Sequence, residues 1–331
     1  MKANILLNTL KNDLKNGTSY SVSYLAQNEV EKTLSKKGIK IRKVFAPLLR
    51  QVYKTQTEYK LKKENTCYES YKEPKIYVVN HRQADDIVLG ANAVGKSGYI
   101  VFGNKDLALE TSNGLGLWAY GMILLDRNDL TSRKSTYEKM KYVLNNNGNI
   151  IIYPEGYWNL DDDGLADERH GSDQHNSENW LIQDINVGIV RLAKETGCPI
   201  IPTILHYDEE QTKKCYSQKG RPIYVGQDDN IFTKKDEVVE SMTTIYYNLM
   251  NKYSEYKRKE LEKDGVSLRD KWEMLKQELI SDCDIPRIGY KLDLANEKLI
   301  GKAKVANPVT TSAEVFEPIN NLAKGRQYIK K

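Results

Sequence analysis

Short apolar runs alternate with longer amphipathic stretches through the middle of this chain. The runs at 76–79 (IYVV), 98–102 (GYIVF), 149–153 (NIIIY) and 199–205, and the segment 117–125 ending in MILL, are brief and mostly β-branched or aliphatic. That pattern predicts buried strands. Between them the spacing of apolar positions predicts helices over 85–93, 105–111, 135–144 and 186–196. Gly95, the run Asn145, Asn146, Asn147, Gly148, and Gly197 supply stops for three of these. Strands alternating with helices predict an α/β fold, a mostly parallel sheet flanked by helices. In such sheets chemistry collects outside the carboxyl ends of the strands. His81, Arg127 and Glu155 each fall at the carboxyl end of a predicted strand.

The flanks read differently. Residues 1–71 form a basic helical N-terminal segment in which Lys36, Lys37, Lys40 and Lys43 recur, with Val44, Phe45, Leu48, Leu49 and Val52 interleaved at roughly helical spacing. One expectation is a solvated helix packing one face on the main domain. The other is a basic amphipathic surface lying against anionic lipid headgroups. The main domain, 72–250, closes with a turn and then a short strand within 219–225, and an amphipathic helix at 234–253. Residues 251–331 are a helical, then irregular, C-terminal extension.

At 331 residues, with 40% hydrophobic and 29% charged residues, the chain has the composition of a soluble globular protein. No apolar run approaches the length of a transmembrane helix, and the opening apolar segment is too short and interrupted for a signal peptide. The expected address is the cytoplasm. Four scattered cysteines without a CxxC pair indicate neither a disulfide framework nor a zinc site, and no metal is expected. The net charge of +5 permits attraction to anionic partners, while the tyrosines form no nucleic-acid signature.

The stretch 75–90, KIYVVNHRQADDIVLG, carries the candidate chemistry. His81 and Asp86 are five residues apart, so they can meet only across a turn, such as a strand, a loop and a first helical turn. Asp85 and Asp86 suit a helix N-terminus, where negative charge is favoured. An imidazole oriented by a carboxylate is half of a general-base device. Taken alone, such a pair is more often a surface contact than a catalytic one. A competing motif overlaps it: 90–97, GANAVGKS, fits the phosphate-cradling pattern G-x-x-x-x-G-K-[ST], and 122–126, MILLD, mimics its partner strand. Such a loop needs a strand before it and a helix after. Here the predicted order is inverted, so a nucleotide-binding enzyme is the alternative reading.

Four blocks in order resemble the glycerolipid acyltransferase family, typified by bacterial lysophosphatidic acid acyltransferases. NHRQADD (80–86) resembles its first motif, GMILLDR (121–127) its second, YPEG (153–156) its third and PIIP (199–202) its fourth. The resemblance covers 75–250. It implies that His81 is the base that deprotonates an acceptor hydroxyl, with Asp86 holding the imidazole in the useful tautomer. It also implies that Asn80, Lys105, Arg127, Glu155, Gly156 and Pro202 bind substrate, Arg127 through a planar fork suited to phosphate. The acyl donor would be acyl-CoA or acyl carrier protein, with no other cofactor, and the acceptor a lysophospholipid or related lipid. The third block continues with Tyr157 and Trp158 where the family commonly has Thr and Arg. That change implies a larger lysolipid, a glycolipid or another lipid-linked hydroxyl as acceptor. A peripheral position on the inner face of the cell membrane follows as an expectation. A non-catalytic lipid-surface binding protein is the remaining alternative.

Overall fold

The computed structural model describes residues 28–54, 57–64, 72–82, 85–103, 121–126, 129–155, 181–182, 185–208 and 213–281. In chain order the elements are α1 (Val30–Thr33), α2 (Lys36–Lys54), β1 (Lys60–Lys63), β2 (Ile76–Val79), α3 (Asp86–Val94), β3 (Tyr99–Phe102) and β4 (Met122–Leu124). There follow α4 (Leu130–Asn145), β5 (Ile150–Ile152), α5 (Gly188–Thr196), β6 (Ile200–Asp208), β7 (Lys214–Lys219), α6 (Ile231–Tyr253), α7 (Glu255–Leu261) and α8 (Leu268–Ser281). They divide between two units: 1–49, 97–150 and 309–331 in one, 50–96 and 151–308 in the other.

The larger unit is built on strands in the order β1-β7-β6-β2-β5. β1 runs parallel to β7 and β2 parallel to β6, while β6 and β7 are antiparallel. All four side chains of β2 and all nine of β6 are buried. Burial on both faces is what a covered parallel sheet demands, and it explains why β2 and the first six residues of β6 read as mostly apolar runs. Each aliphatic side chain so buried contributes about 1.5–3 kcal/mol. Helices α3 and α6 both pack on β6. The expected fold class is thus observed.

Two strand assignments differ from expectation. The sequence KLKK, expected within a helical segment, forms β1 at the end of the strand order, with Lys60, Lys62 and Lys63 exposed. Lysines suit an edge strand because they discourage pairing with another chain. The strand expected at 219–225 is displaced to β7. Past Lys219 only a lone bridge, Ile200 to Ile223, continues the pairing. Gly220 breaks the run where a Cβ would come within 2.9 Å of Ile245 Cδ1.

Helix α3 ends at Gly95, whose φ of +70° is the left-handed cap predicted for a helix stop. The Nζ atoms of Lys63 and Lys219 donate to the carbonyls of Ala93 (3.3 Å) and Val94 (2.9 Å), placing two cations at its negative end. Although most of Lys63 is exposed, its ammonium tip is sheltered against the helix end, and that desolvation, then repulsion from Lys219, Arg50 and Lys54, lowers it to about 8. Gly90 lies inside this helix, and β3 rather than a helix follows it. Residues 90–97 therefore do not form a phosphate loop, which needs extended backbone there with its N–H groups unpaired.

In the smaller unit β3 and β4 are parallel, and α4 is capped by Asp129, whose side chain accepts from Thr131 N at 2.8 Å. Helix α2 buries Ile39 and Ala46 and lays Arg42 over the Tyr99 ring, 5.3 Å from its centre. Its other face carries Ile41, Val44, Phe45 and Leu48, which are 45%, 75%, 53% and 63% exposed. Of the apolar residues expected to pack inward, Val44, Phe45 and Leu48 point outward instead. Helical spacing gives the stripe but not which side meets the core. Among the described residues no helix is long and apolar enough to cross a membrane.

Candidate active site

β2 delivers Asn80 and His81 at its carboxyl end, and Asn80 fixes where they stop. Its side-chain amide donates to Leu205 O (2.9 Å) and accepts from Leu205 N (2.7 Å), so it continues the β2–β6 pairing one step past the strand. That use makes Asn80 a pin for the next residue, His81. The His81 N–H then donates to Glu155 Oε1 at 2.8 Å. Glu155, 6% exposed, thereby holds the backbone that carries the imidazole.

The expected turn lies between His81 and Asp86, and it closes the pair. His81 Nδ1 is 3.0 Å from Asp86 Oδ2, with the histidine side chain 17% exposed and the aspartate fully buried. The Arg82 N–H donates to the same oxygen. Asp86 is the first residue of α3, where helix N–H groups and dipole favour its charge. An ionised carboxylate only accepts, so the proton of the imidazole is assigned to Nδ1 and the lone pair falls on Nε2. A histidine in that tautomer can accept a proton from a substrate hydroxyl.

Sequence reasoning missed the tyrosines that frame this pair. Tyr153 Oη donates to Asp86 O at 2.7 Å, and its ring lies 4.8 Å from the His81 ring. A Cβ on Gly90 would sit 2.6 Å from that hydroxyl, so the glycine makes room for it. Tyr207, on β6, donates its phenol proton to Asp86 Oδ1. Its position at a carboxyl strand end was the available signal, hidden because the apolar run stops at Leu205 while the strand continues to Asp208. Arg82 is anchored by Tyr246 of α6, donating from Nη1 to its hydroxyl at 2.6 Å and lying over its ring.

The surrounding electrostatics follow from burial beside these acids. Asp85 is raised above the usual carboxylate range by burial, then by the charges of Asp86 and Glu58, against a lowering hydrogen bond from Thr57. Cys215, opposite Tyr207 in the β6–β7 register, is pushed well up by burial and then by Asp86 and Asp85.

Of the residues singled out in the sequence, His81, Asp86, Glu155 and Asn80 converge here. Pro202 does not. It is buried in the interior of β6 opposite Val78, its carbonyl accepting from Gly220 N. Lys105, Arg127 and Gly156 lie outside the described residues.

Comparison with known proteins gives two findings. The acyltransferase family matches residues 52–206, a span that holds Asn80, His81, Arg82, Asp86, Tyr153 and Glu155 of the cluster but stops short of Tyr207 and Tyr246. A solved structure, that of the 1-acyl-sn-glycerophosphate (LPA) acyltransferase PlsC from Thermotoga maritima, is similar at 16% identity. Its TM-score is 0.47, over 73% of this chain and 97% of that one. No curated protein matches the chain.

Proposed function

From the match of residues 52–206 to the acyltransferase family, we propose that this chain moves a fatty acyl group from acyl-CoA or acyl carrier protein to a hydroxyl of a lysophospholipid or related lipid. The observation that carries the reading is the His81–Asp86 contact at 3.0 Å, with the imidazole partly open and the carboxylate sealed. Nε2 of His81 takes the proton of the acceptor hydroxyl as its oxygen attacks the thioester carbon. Asp86 stabilises the imidazolium so formed. The tetrahedral intermediate then collapses, the C–S bond breaks, and the imidazolium returns its proton to the leaving thiolate. No acyl-enzyme forms, and no cofactor enters beside the donor.

The chain works peripherally, on the inner face of the cell membrane, with α2 against the lipid. Support comes from that helix's outward stripe, Ile41, Val44, Phe45 and Leu48, flanked by Lys37, Lys40 and Lys43. Apolar side chains beside cations fit the boundary between anionic headgroups and acyl chains. The replacement of the family's Thr and Arg by Tyr157 and Trp158 favours an acceptor larger than lysophosphatidic acid.

The test is free-thiol release from acyl-CoA, and separately from acyl carrier protein, with a panel of lysophospholipids present. His81→Ala should lower release by about 10²–10⁴-fold. Release that needs no acceptor, or that survives His81→Ala, contradicts the proposal.

A further inference from the structure

We infer that Tyr207 is a positioning residue for the His81–Asp86 pair, its hydroxyl fixing the carboxylate so that one oxygen always faces the imidazole. The inference rests on the proposed acyl transfer for its catalytic meaning, and on geometry for its substance.

The two oxygens of a carboxylate are chemically equivalent, so a buried one orients a histidine only if something distinguishes them. At Asp86 the distinction is made by separate partners. Oδ2 faces His81 Nδ1 and accepts from Arg82 N, while Oδ1 accepts from the Tyr207 hydroxyl. Asp86 is fully buried, so a hydrogen bond donated to Oδ1 also offsets part of its desolvation. Tyr207 can hold a fixed position because it is itself held. It is 8% exposed on a strand buried along its whole length, and its ring meets Tyr59 edge-on, centroids 4.9 Å apart. The same strand is gripped two residues earlier by Asn80, the neighbour of His81. β6 thus sets the base through its sequence neighbour and the carboxylate through Tyr207, from one rigid element. The phenol touches no reacting atom on this account and acts only through Asp86.

Tyr207→Phe removes one oxygen and keeps the ring against Tyr59. In protein carrying ¹⁵N-histidine, two-bond ¹⁵N–¹H correlations of the His81 ring, assigned by their loss in His81→Ala, report its tautomer without any substrate. At neutral pH they should show protonated Nδ1 in the unmodified protein and a changed mixture in Tyr207→Phe. Identical His81 correlations in the two proteins overturn the inference. In acyl transfer, Tyr207→Phe should lower kcat about tenfold, the worth of one hydrogen bond to a charge, with KM within about twofold. Adding it to Asp86→Asn should lower kcat no further, whereas a structural role would give additive losses. Should Tyr207→Phe not fold, 3-fluorotyrosine at position 207 keeps the hydroxyl and alters its acidity, and unchanged His81 correlations again refute the role. A chain that turns over no donor but shows the tautomer change would refute the acyl transfer reading and leave the positioning role standing.

Discussion

At the scale of single residues, the site depends on small groups that let others approach. Gly90 sits mid-helix, where alanine is ordinarily better by about 0.5–1 kcal/mol. Here the added Cβ would meet Tyr153 Oη at 2.6 Å and Val79 Cγ1 at 3.2 Å. Gly90→Ala should therefore lower the melting temperature, and a rise would show that Tyr153 gives way freely. Lys139 makes the converse case, a charge placed where it costs stability. It is 3% exposed, and burial lowers its ammonium to about 8, against a small opposing pull from Glu29. A base depressed on folding favours the native state fully only above its unfolded value near 10.5, and that gain is lost as pH falls through about 8. Lys139→Met should then be more stable than the parent at pH 7, with the gap narrowing toward pH 10.5; thermal melts across that range would show a constant gap if burial is not the cause. His81 and Asp86 were legible in the sequence because a motif places both within six residues. Tyr207 was not, since nothing local ties it to an aspartate 121 positions away.

At the scale of elements, periodicity proved a sound guide to type and a poor one to facing. Helices α3, α4, α5 and α6 lie close to where their apolar spacing and stop residues put them. β1 was missed because three lysines in four residues look like a solvated helix, although they equally suit an exposed edge. In α2 the apolar residues recur at the expected spacing, yet the core takes Ile39 and Ala46, leaving Val44, Phe45 and Leu48 outside. The membrane proposal makes this outward stripe useful. Replacing Phe45 and Leu48 with serine should weaken sedimentation with anionic vesicles at any salt, because the lost affinity is apolar. Replacing Lys37, Lys40 and Lys43 with glutamine should weaken it chiefly at low salt, where charge is least screened. Unchanged binding in both variants would remove α2 from the membrane contact.

At the scale of the whole molecule, the larger unit gathers its chemistry at one end of β2 and β6. Parallel strands bring their carboxyl ends to the same edge, so residues far apart in sequence, at 81, 155 and 207, meet without long loops. The sheet order itself was not readable from the strand pattern, because β6 and β7 pair antiparallel while β2 pairs parallel with β6, and β1 joins from upstream of residue 72. The acyltransferase resemblance was readable from four short blocks in order, and the family match over 52–206 spans all four, with His81 inside it. The central claim is that the chain esterifies a lipid hydroxyl through His81. The most direct measurement supplies acyl-CoA labelled in its acyl chain, with total membrane lysolipids as acceptors, and identifies labelled lipid esters by mass spectrometry. The account predicts a labelled ester from the unmodified protein and its loss in His81→Ala; label appearing only as free fatty acid, or equally in both proteins, would contradict it.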